Sequence, residues 1–314
     1  MKQIFFLLGM VFSFFYSFSQ TSANDGDWKK NYVTMSNTPE AEYMVRVGDI
    51  DNLNCGWQAN FDPFSGRETD SHEYPWPPQD GNILGLDMVM LPSSYKPEQE
   101  PCGSDGYSGY YEEMIEDYSK TVHEIEIPLN LPENLSIKSV RIVMFVDDFQ
   151  PREFCSKFTA TIDGKDCPFI DDVLNNLSQT GPIGKIININ VPAEYLNLFD
   201  KEKIVLLIDD KTTKAGDGFA IDFVKILINP TNKVNKTGNI KGIVYDEEGE
   251  PMVNATVKVG EIMTKTDSNG EFILKNMLAG IVIIEVIDKK GTMKKVSADV
   301  FEKEEKEIEI FFSE

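Results

Sequence analysis

Apolar residues recur at every second position over short stretches of this chain, with turn-forming residues between the stretches. In the first 230 residues such runs occupy 122–129, 140–146, 158–162, 186–191, 204–208 and 219–228. That period belongs to strands, and its spacing predicts an antiparallel sandwich or jelly roll. One helix is predicted over 168–177, where Ile170, Val173, Leu174 and Leu177 share a face. Residues 56–109 differ: rich in Pro, Gly, acids and aromatics, they read as long ordered loops, the part of a β protein that more often carries function.

The run from Gly216 to Asn229 is the most informative. Strict alternation places Phe219, Ile221, Phe223 and Leu227 on one face and Ala220, Val224, Ile226 and Ile228 on the other, so both faces are apolar and the strand is buried on both sides. Asp222 interrupts it. A carboxylate there is costly unless a cation or several donors surround it. Asp222 is therefore either a metal ligand or the hub of a hydrogen-bond network, capped by backbone N–H groups and Arg46 or Lys225.

After residue 230 the pattern changes. Residues 231–238 combine polar side chains with Gly238 and form a linker. Beyond it, runs at 239–245, 255–259, 262–266, 271–274, 280–287, 293–300 and 306–312 predict seven strands in a second, smaller sandwich. The expected organisation is a leader over 1–20, a first domain over 21–230, the linker, and a second domain over 239–314.

The second domain carries Gly242-x-Val244-x-Asp246-x-x-Gly249-x-Pro251-x-x-x-Ala255-x-Val257-x-Val259, then Thr266-Asp267-x-x-Gly270-x-Phe272-x-Leu274 and Leu278-x-Gly280. These residues resemble the carboxypeptidase regulatory-like (transthyretin-like) domain, which implies a non-catalytic seven-stranded sandwich. The first domain is similar to the extracytoplasmic jelly roll at the N-terminus of some bacterial OmpA-like surface proteins. That similarity rests on residues 45–54, 61–66, 72–76, 146–149 and 179–185 and on the Gly216 run. Calcium-stabilised carbohydrate-binding jelly rolls are similar in one respect: an Asp followed by an aromatic on the last strand, here Asp222-Phe223, with acidic partners near the domain's start. The fold class is thus all-β, a jelly-roll-like sandwich followed by a small transthyretin-like sandwich.

Composition sharpens the setting. Lys2, the apolar stretch 4–18 and small residues at 17, 19, 22 and 23 form a secretory signal peptide, and no Cys near the cleavage point suggests lipid anchoring. No later segment is apolar enough to span a membrane. The formal net charge of −22 excludes nucleic acid as a natural partner and favours cations or basic partners. Four cysteines, Cys55, Cys102, Cys155 and Cys167, predict two disulfides in an exported chain, with Cys155–Cys167 as the guess because Asp163-Gly164 offers a turn between them.

Calcium needs about 6–8 oxygen ligands. The candidates are Asp49, Asp51, Asp217 and Asp222, with the Asp147/Asp148 and Asp209/Asp210 pairs in reserve; if both pairs leave the sandwich at one edge, four carboxylates gather there. Trp57, Tyr74 and Trp76, with Phe61, Phe64, Tyr107, Tyr110 and Tyr111, offer flat rings that suit either glycan stacking or loop packing. Catalysis finds no support. In His123-x-x-Glu126 the two side chains point to opposite faces of a strand, and no His follows His123. The expected role is an exported, non-catalytic binding or structural protein of the bacterial envelope or exterior, with a calcium-stabilised jelly roll. A glycan or an envelope protein would be its partner, and periplasm, outer membrane and exterior remain open. Carbohydrate binding through the loop aromatics is the first alternative and a glycoside hydrolase the second.

Overall fold

The computed structural model describes residues 27–74, 76, 79–103, 105–109, 122–231 and 236–312. The expected leader, Tyr110 and Tyr111 lie outside the described residues, as do positions 232–235 of the expected linker. The first module contains β1 (Tyr32–Ser36), β2 (Ala41–Val47), β3 (Ile125–Pro128), β4 (Val140–Asp147), β5 (Thr159–Ile162), β6 (Lys165–Asp166), β7 (Gly184–Asn190), β8 (Lys203–Asp209) and β9 (Ala220–Pro230). Among the described residues the short α-helices α1 (Gly106–Gly109), α2 (Pro151–Phe154) and α3 (Pro168–Leu174) decorate it, with 3-10 turns at Pro63–Ser65, Pro97–Gln99 and Ala193–Phe199. The second contains β10 (Thr237–Tyr245), β11 (Thr256–Val259), β12 (Ile262–Lys265), β13 (Glu271–Leu278), β14 (Gly280–Ile287), β15 (Met293–Val300) and β16 (Glu305–Phe311). The chain is all-β, as the alternation predicts, and the second module shows seven strands among the described residues.

Strands β1-β2-β9-β4-β7 form one layer of the first module and β3-β8-β5-β6 the other. Val45, Ile142, Ile187 and Ile226 from the first sheet meet Ile127, Ala160 and Leu206 from the second in one apolar core. The outer face of the first sheet is also covered: Met44, Val143, Ile186 and Leu227 pack with Ile50 and Phe64 from the loops. Burying both faces explains why β9 reads as an almost continuous apolar run.

Strict alternation along β9 fails at one point. Met144 pairs with Val224 but Val146 with Ile221, so β9 advances three residues while β4 advances two. This β-bulge shifts the faces. Phe219 and Ile221 share the inter-sheet core with Val224, Ile226 and Ile228, whereas Phe223 and Leu227 point outward. A bulge is invisible to a two-residue period because nothing in composition marks the extra residue. Here it falls beside Asp222.

The second module stacks β13-β10-β16 on β15-β14-β11-β12. Ile240, Val257, Phe272, Ile284, Val300 and Ile310 fill the space between them. Its turns repeat one device: Asp246, Asp267 and Asp288 each accept backbone N–H groups two and four residues on, ahead of or beside a left-handed glycine at 249, 270 and 291. The third of these, at 288–291, escaped the motif reading.

The two modules are not simply tethered. Ile187 and Ile281 form a parallel bridge that joins the large sheets of both, and the Glu302 amide donates to Ser65 O. Lys185–Asp299 at 3.0 Å and Lys295–Asp172 at 2.5 Å cross the same junction.

Candidate functional site: a buried acidic centre

β2 pairs with β9 as far as Val47–Val224 and then leaves the sheet at Gly48, whose φ is +85°. Three residues earlier on β9, the amide of Asp87 takes over by donating to Ile221 O at 2.9 Å. Asp222 sits in the gap where one edge partner has gone and the other has just begun. A side chain at Gly48 would meet Asp222 O at 2.5 Å, so only glycine lets the chain turn away so close to β9.

The loop that follows folds over the gap. Asn52, Leu53 and Asn54 all adopt left-handed backbone, with φ of 65°, 57° and 66°. That curl aims the Leu53 amide at Asp222 Oδ1, 3.1 Å away, and the Asn54 amide at Asp51 Oδ1, 2.7 Å away. Asn52 Nδ2 closes the curl on Gly56 O, and Trp57 Nε1 donates to Ile50 O at 3.0 Å.

Four carboxylates result. One oxygen each from Asp49, Asp51 and Asp87 lie within 4.8 Å of one another, and Asp222 adjoins both Asp51 and Asp87. Asp222 and Asp87 are 0% and 1% exposed. Both oxygens of Asp87, Oδ2 of Asp222 and Oδ1 of Asn52 are buried without a hydrogen-bond donor among the described residues. Burial raises the pKa of Asp87 and Asp222, and the charges of their acidic neighbours raise it further. Asp51 is raised by the same first cause. Such a cluster of carboxylate oxygens fits the oxygen preference of a hard divalent cation.

The sequence foresaw Asp49, Asp51 and Asp222 in this centre. It missed Asp87, which lies in a loop with no feature to separate it from the chain's other acids. It also named Asp217, which the structure places elsewhere. The Asp217 carboxylate accepts from the Gln150 amide at 3.1 Å and from the Ser156 hydroxyl, because Asp217 precedes the bulge and faces the α2 end of the sheet. There it joins a second group with Asp105 and Asp148, near Asp147 and Asp210. The convergence expected of the paired acids is thus seen for Asp147, Asp148 and Asp210. Asp209 turns away to bind Ser93 through its amide and hydroxyl.

Burial first, then like charge, raises Asp148 to about 9 and Asp217 to about 8. Burial raises Asp105 to about 6 against the amides of Ser108 and Gly218. His72 supplies the counter-charge. Burial opposes its protonation, but its hydrogen bond to Asp147, at 3.2 Å, and contacts with Cys55 and the Glu73 carbonyl raise it to about 10. Tyr107 completes the group by donating to Asp147 Oδ1 at 2.6 Å.

The aromatic loop residues are engaged with one another. Trp76 is 6% exposed and donates from Nε1 to Asp87 O at 3.0 Å, which ties it to the acidic centre. Tyr74 stacks on Tyr107 with centroids 4.6 Å apart, and Trp57 stacks on Phe61 at 5.3 Å with its edge against Phe145.

The cysteine expectation is corrected. Cys102 pairs with Cys155, with Cα atoms 5.7 Å apart, and Cys55 and Cys167 are free. The Asp163-Gly164 hairpin exists, between β5 and β6, but Cys155 ends α2 before that hairpin begins. Its left-handed backbone leads it to the Cys102 loop, while Cys167 is buried ahead of α3.

No family model matches the chain, and no curated protein matches it. Among solved structures it is similar to BcpA, the major pilin subunit of Bacillus cereus, at 16% identity and a TM-score of 0.18, over 60% of this chain and 63% of that one. It is similar to the Corynebacterium diphtheriae major pilin SpaA at 12% identity and 0.21, over 60% and 62%. The Bacillus anthracis TIE protein overlaps at 12% and 0.21, over 60% and 36%. This chain therefore spans less than two thirds of each, and overlaps this loose carry no argument about function.

Proposed function

We propose that this protein is an exported, non-catalytic scaffold of the bacterial envelope or exterior, whose first module is locked by a calcium ion held by Asp49, Asp51, Asp87 and Asp222. The observation that carries the ion is that both oxygens of Asp87 and one of Asp222 are buried beside Asp49 and Asp51 with no donor among the described residues. Leaving four acids there without a cation would keep at least one proton trapped between them. Bound calcium would replace that proton, pin the 49–56 loop to β9 and fix Trp76 through Asp87. Export is supported by the apolar leader and by the Cys102–Cys155 bridge, which suits an oxidising compartment. A non-catalytic role is supported by the full burial of Asp87 and Asp222, which the loop carrying Leu53 covers. The second module, with its seven strands and repeated Asp turns, serves as the carboxypeptidase regulatory-like spacer that its motifs resemble.

Thermal melting of the full chain tests the ion. Chelator is expected to lower the first transition, with recovery on adding calcium and much less on adding magnesium, which dehydrates reluctantly. Identical melting with chelator and with calcium rejects the proposal.

A further inference from the structure

The two modules enclose a cleft with the opposite character. Its floor is the outer face of the large first-module sheet, its wall the end of β13 at Leu278 and Ala279 just after it, and its cavity is about 50 Å³. Arg141, Lys225 and Lys236 line it with Asn188, and Glu40 is the one acid that does so. Three cations around a single acid are conspicuous in a chain with a net charge of −22.

Two of those cations are already engaged. Lys225 Nζ lies 3.0 Å from Glu40 and 4.3 Å from the Phe64 ring centroid. Lys236 is paired with Asp62 from outside the cavity lining. Arg141 is different. It is 8% exposed, and among the described residues its side chain makes one hydrogen bond, from Nε to Asn190 Oδ1 at 3.0 Å. The two terminal nitrogens of the guanidinium, a rigid fork of donors, make none to the described residues. Such a fork matches the paired oxygens of a carboxylate or phosphate. Burial lowers the pKa of Arg141, and the Glu40 charge only partly opposes this.

We propose that this inter-module cleft is a binding site for one oxyanion group, a carboxylate or phosphate carried by a small molecule, gripped by the Arg141 fork and flanked by Lys225 and Lys236. The cavity admits a single such group and no more. Because the cleft has one wall in each module, an occupant would cross-brace the junction. The site shares no residue with the acidic centre, so either proposal stands if the other falls.

Calorimetric titration of the full chain tests it, with inorganic phosphate, sulfate and acetate as separate titrants at constant ionic strength set by chloride. Saturable one-to-one binding is expected for at least one titrant, at least tenfold weaker in Arg141→Gln, several-fold weaker in Lys236→Met and unchanged in the remote Lys201→Gln. Absence of binding above chloride for all three titrants overturns the proposal, as does wild-type affinity in Arg141→Gln. Should Arg141→Gln fail to melt cooperatively, Lys236→Met decides: equal affinity to wild type overturns the site.

Discussion

The amide of Leu53 donates to Asp222 Oδ1 at 3.1 Å, joining residues 169 positions apart. One end is a loop held in left-handed backbone and the other a bulged strand. Neither conformation has a reason to persist without the other. This contact brings Asp51 to the Asp222 carboxylate, and the Asp87 amide, donating to Ile221 O, brings Asp87 to it from the other side of the gap.

Asn substitutions at the centre should separate charge from packing. In excess chelator, Asp222→Asn or Asp87→Asn relieves like-charge repulsion, so the variant should melt at or above the wild type. With calcium the order should reverse, since a ligand is lost. Paired melting curves in chelator and in calcium read both signs, and a variant that stays below wild type in both media would contradict the electrostatic account.

Stability should fall as pH rises from 6.5 to 9. Asp148 and Asp217 have folded pKa values raised to about 9 and 8 from 3.8. Each takes up a proton on folding inside its window, so its contribution declines as pH climbs through that window. His72, raised from 6.5 to about 10, contributes fully below 6.5 and loses that contribution as pH approaches 10. Both trends have one direction. Melting temperature against pH without added calcium should slope downward, and Asp148→Asn should flatten it.

Thiol chemistry should distinguish all four cysteines. Non-reducing peptide mapping should show a single cross-linked pair, Cys102 with Cys155. In the native protein Cys55 should alkylate quickly, being exposed, and Cys167 only after unfolding. Reduction, or the Cys102→Ser and Cys155→Ser pair, should cost about 2–4 kcal/mol, because the bridge closes a loop 53 residues long. A cross-linked Cys155–Cys167 peptide would refute the assignment.

Gly48→Ala should be disproportionately damaging. The position combines a φ of +85° with a Cβ placed 2.5 Å from Asp222 O and 2.9 Å from Phe223 Cα. The backbone penalty alone is about 1–3 kcal/mol, and the overlap adds to it. Chemical denaturation of the variant should show that loss. The same change at Gly103, with nothing within 4 Å, should show only the backbone part.

Much of the architecture was legible along the chain. The two-residue period located β3, β4, β5, β7, β8 and β9 in the first module and every strand of the second. Local turn chemistry did the same for the Asp246 and Asp267 turns, because a side chain that caps its own backbone needs no distant partner. The strands β1, β2 and β6 were missed: β1 exposes alternate residues at an edge, β2 buries Arg46 among its apolar neighbours, and β6 is two exposed residues, so none looks like a core strand.

The amino-acid order by itself determined that Asp222 is trapped in an apolar strand and must be neutralised, because burial of that run follows from local pattern alone. Which groups surround it was decided only in three dimensions. The bulge re-aims the strand, Gly48 releases β2, and the 87–90 segment replaces it, so Asp87 enters and Asp217 is carried to the other acidic group. The same holds for Cys102–Cys155 and for the Arg141 cleft. Each joins residues far apart in the chain, and a short-range pattern contains no information about which distant segments the closing of the sheets will bring together.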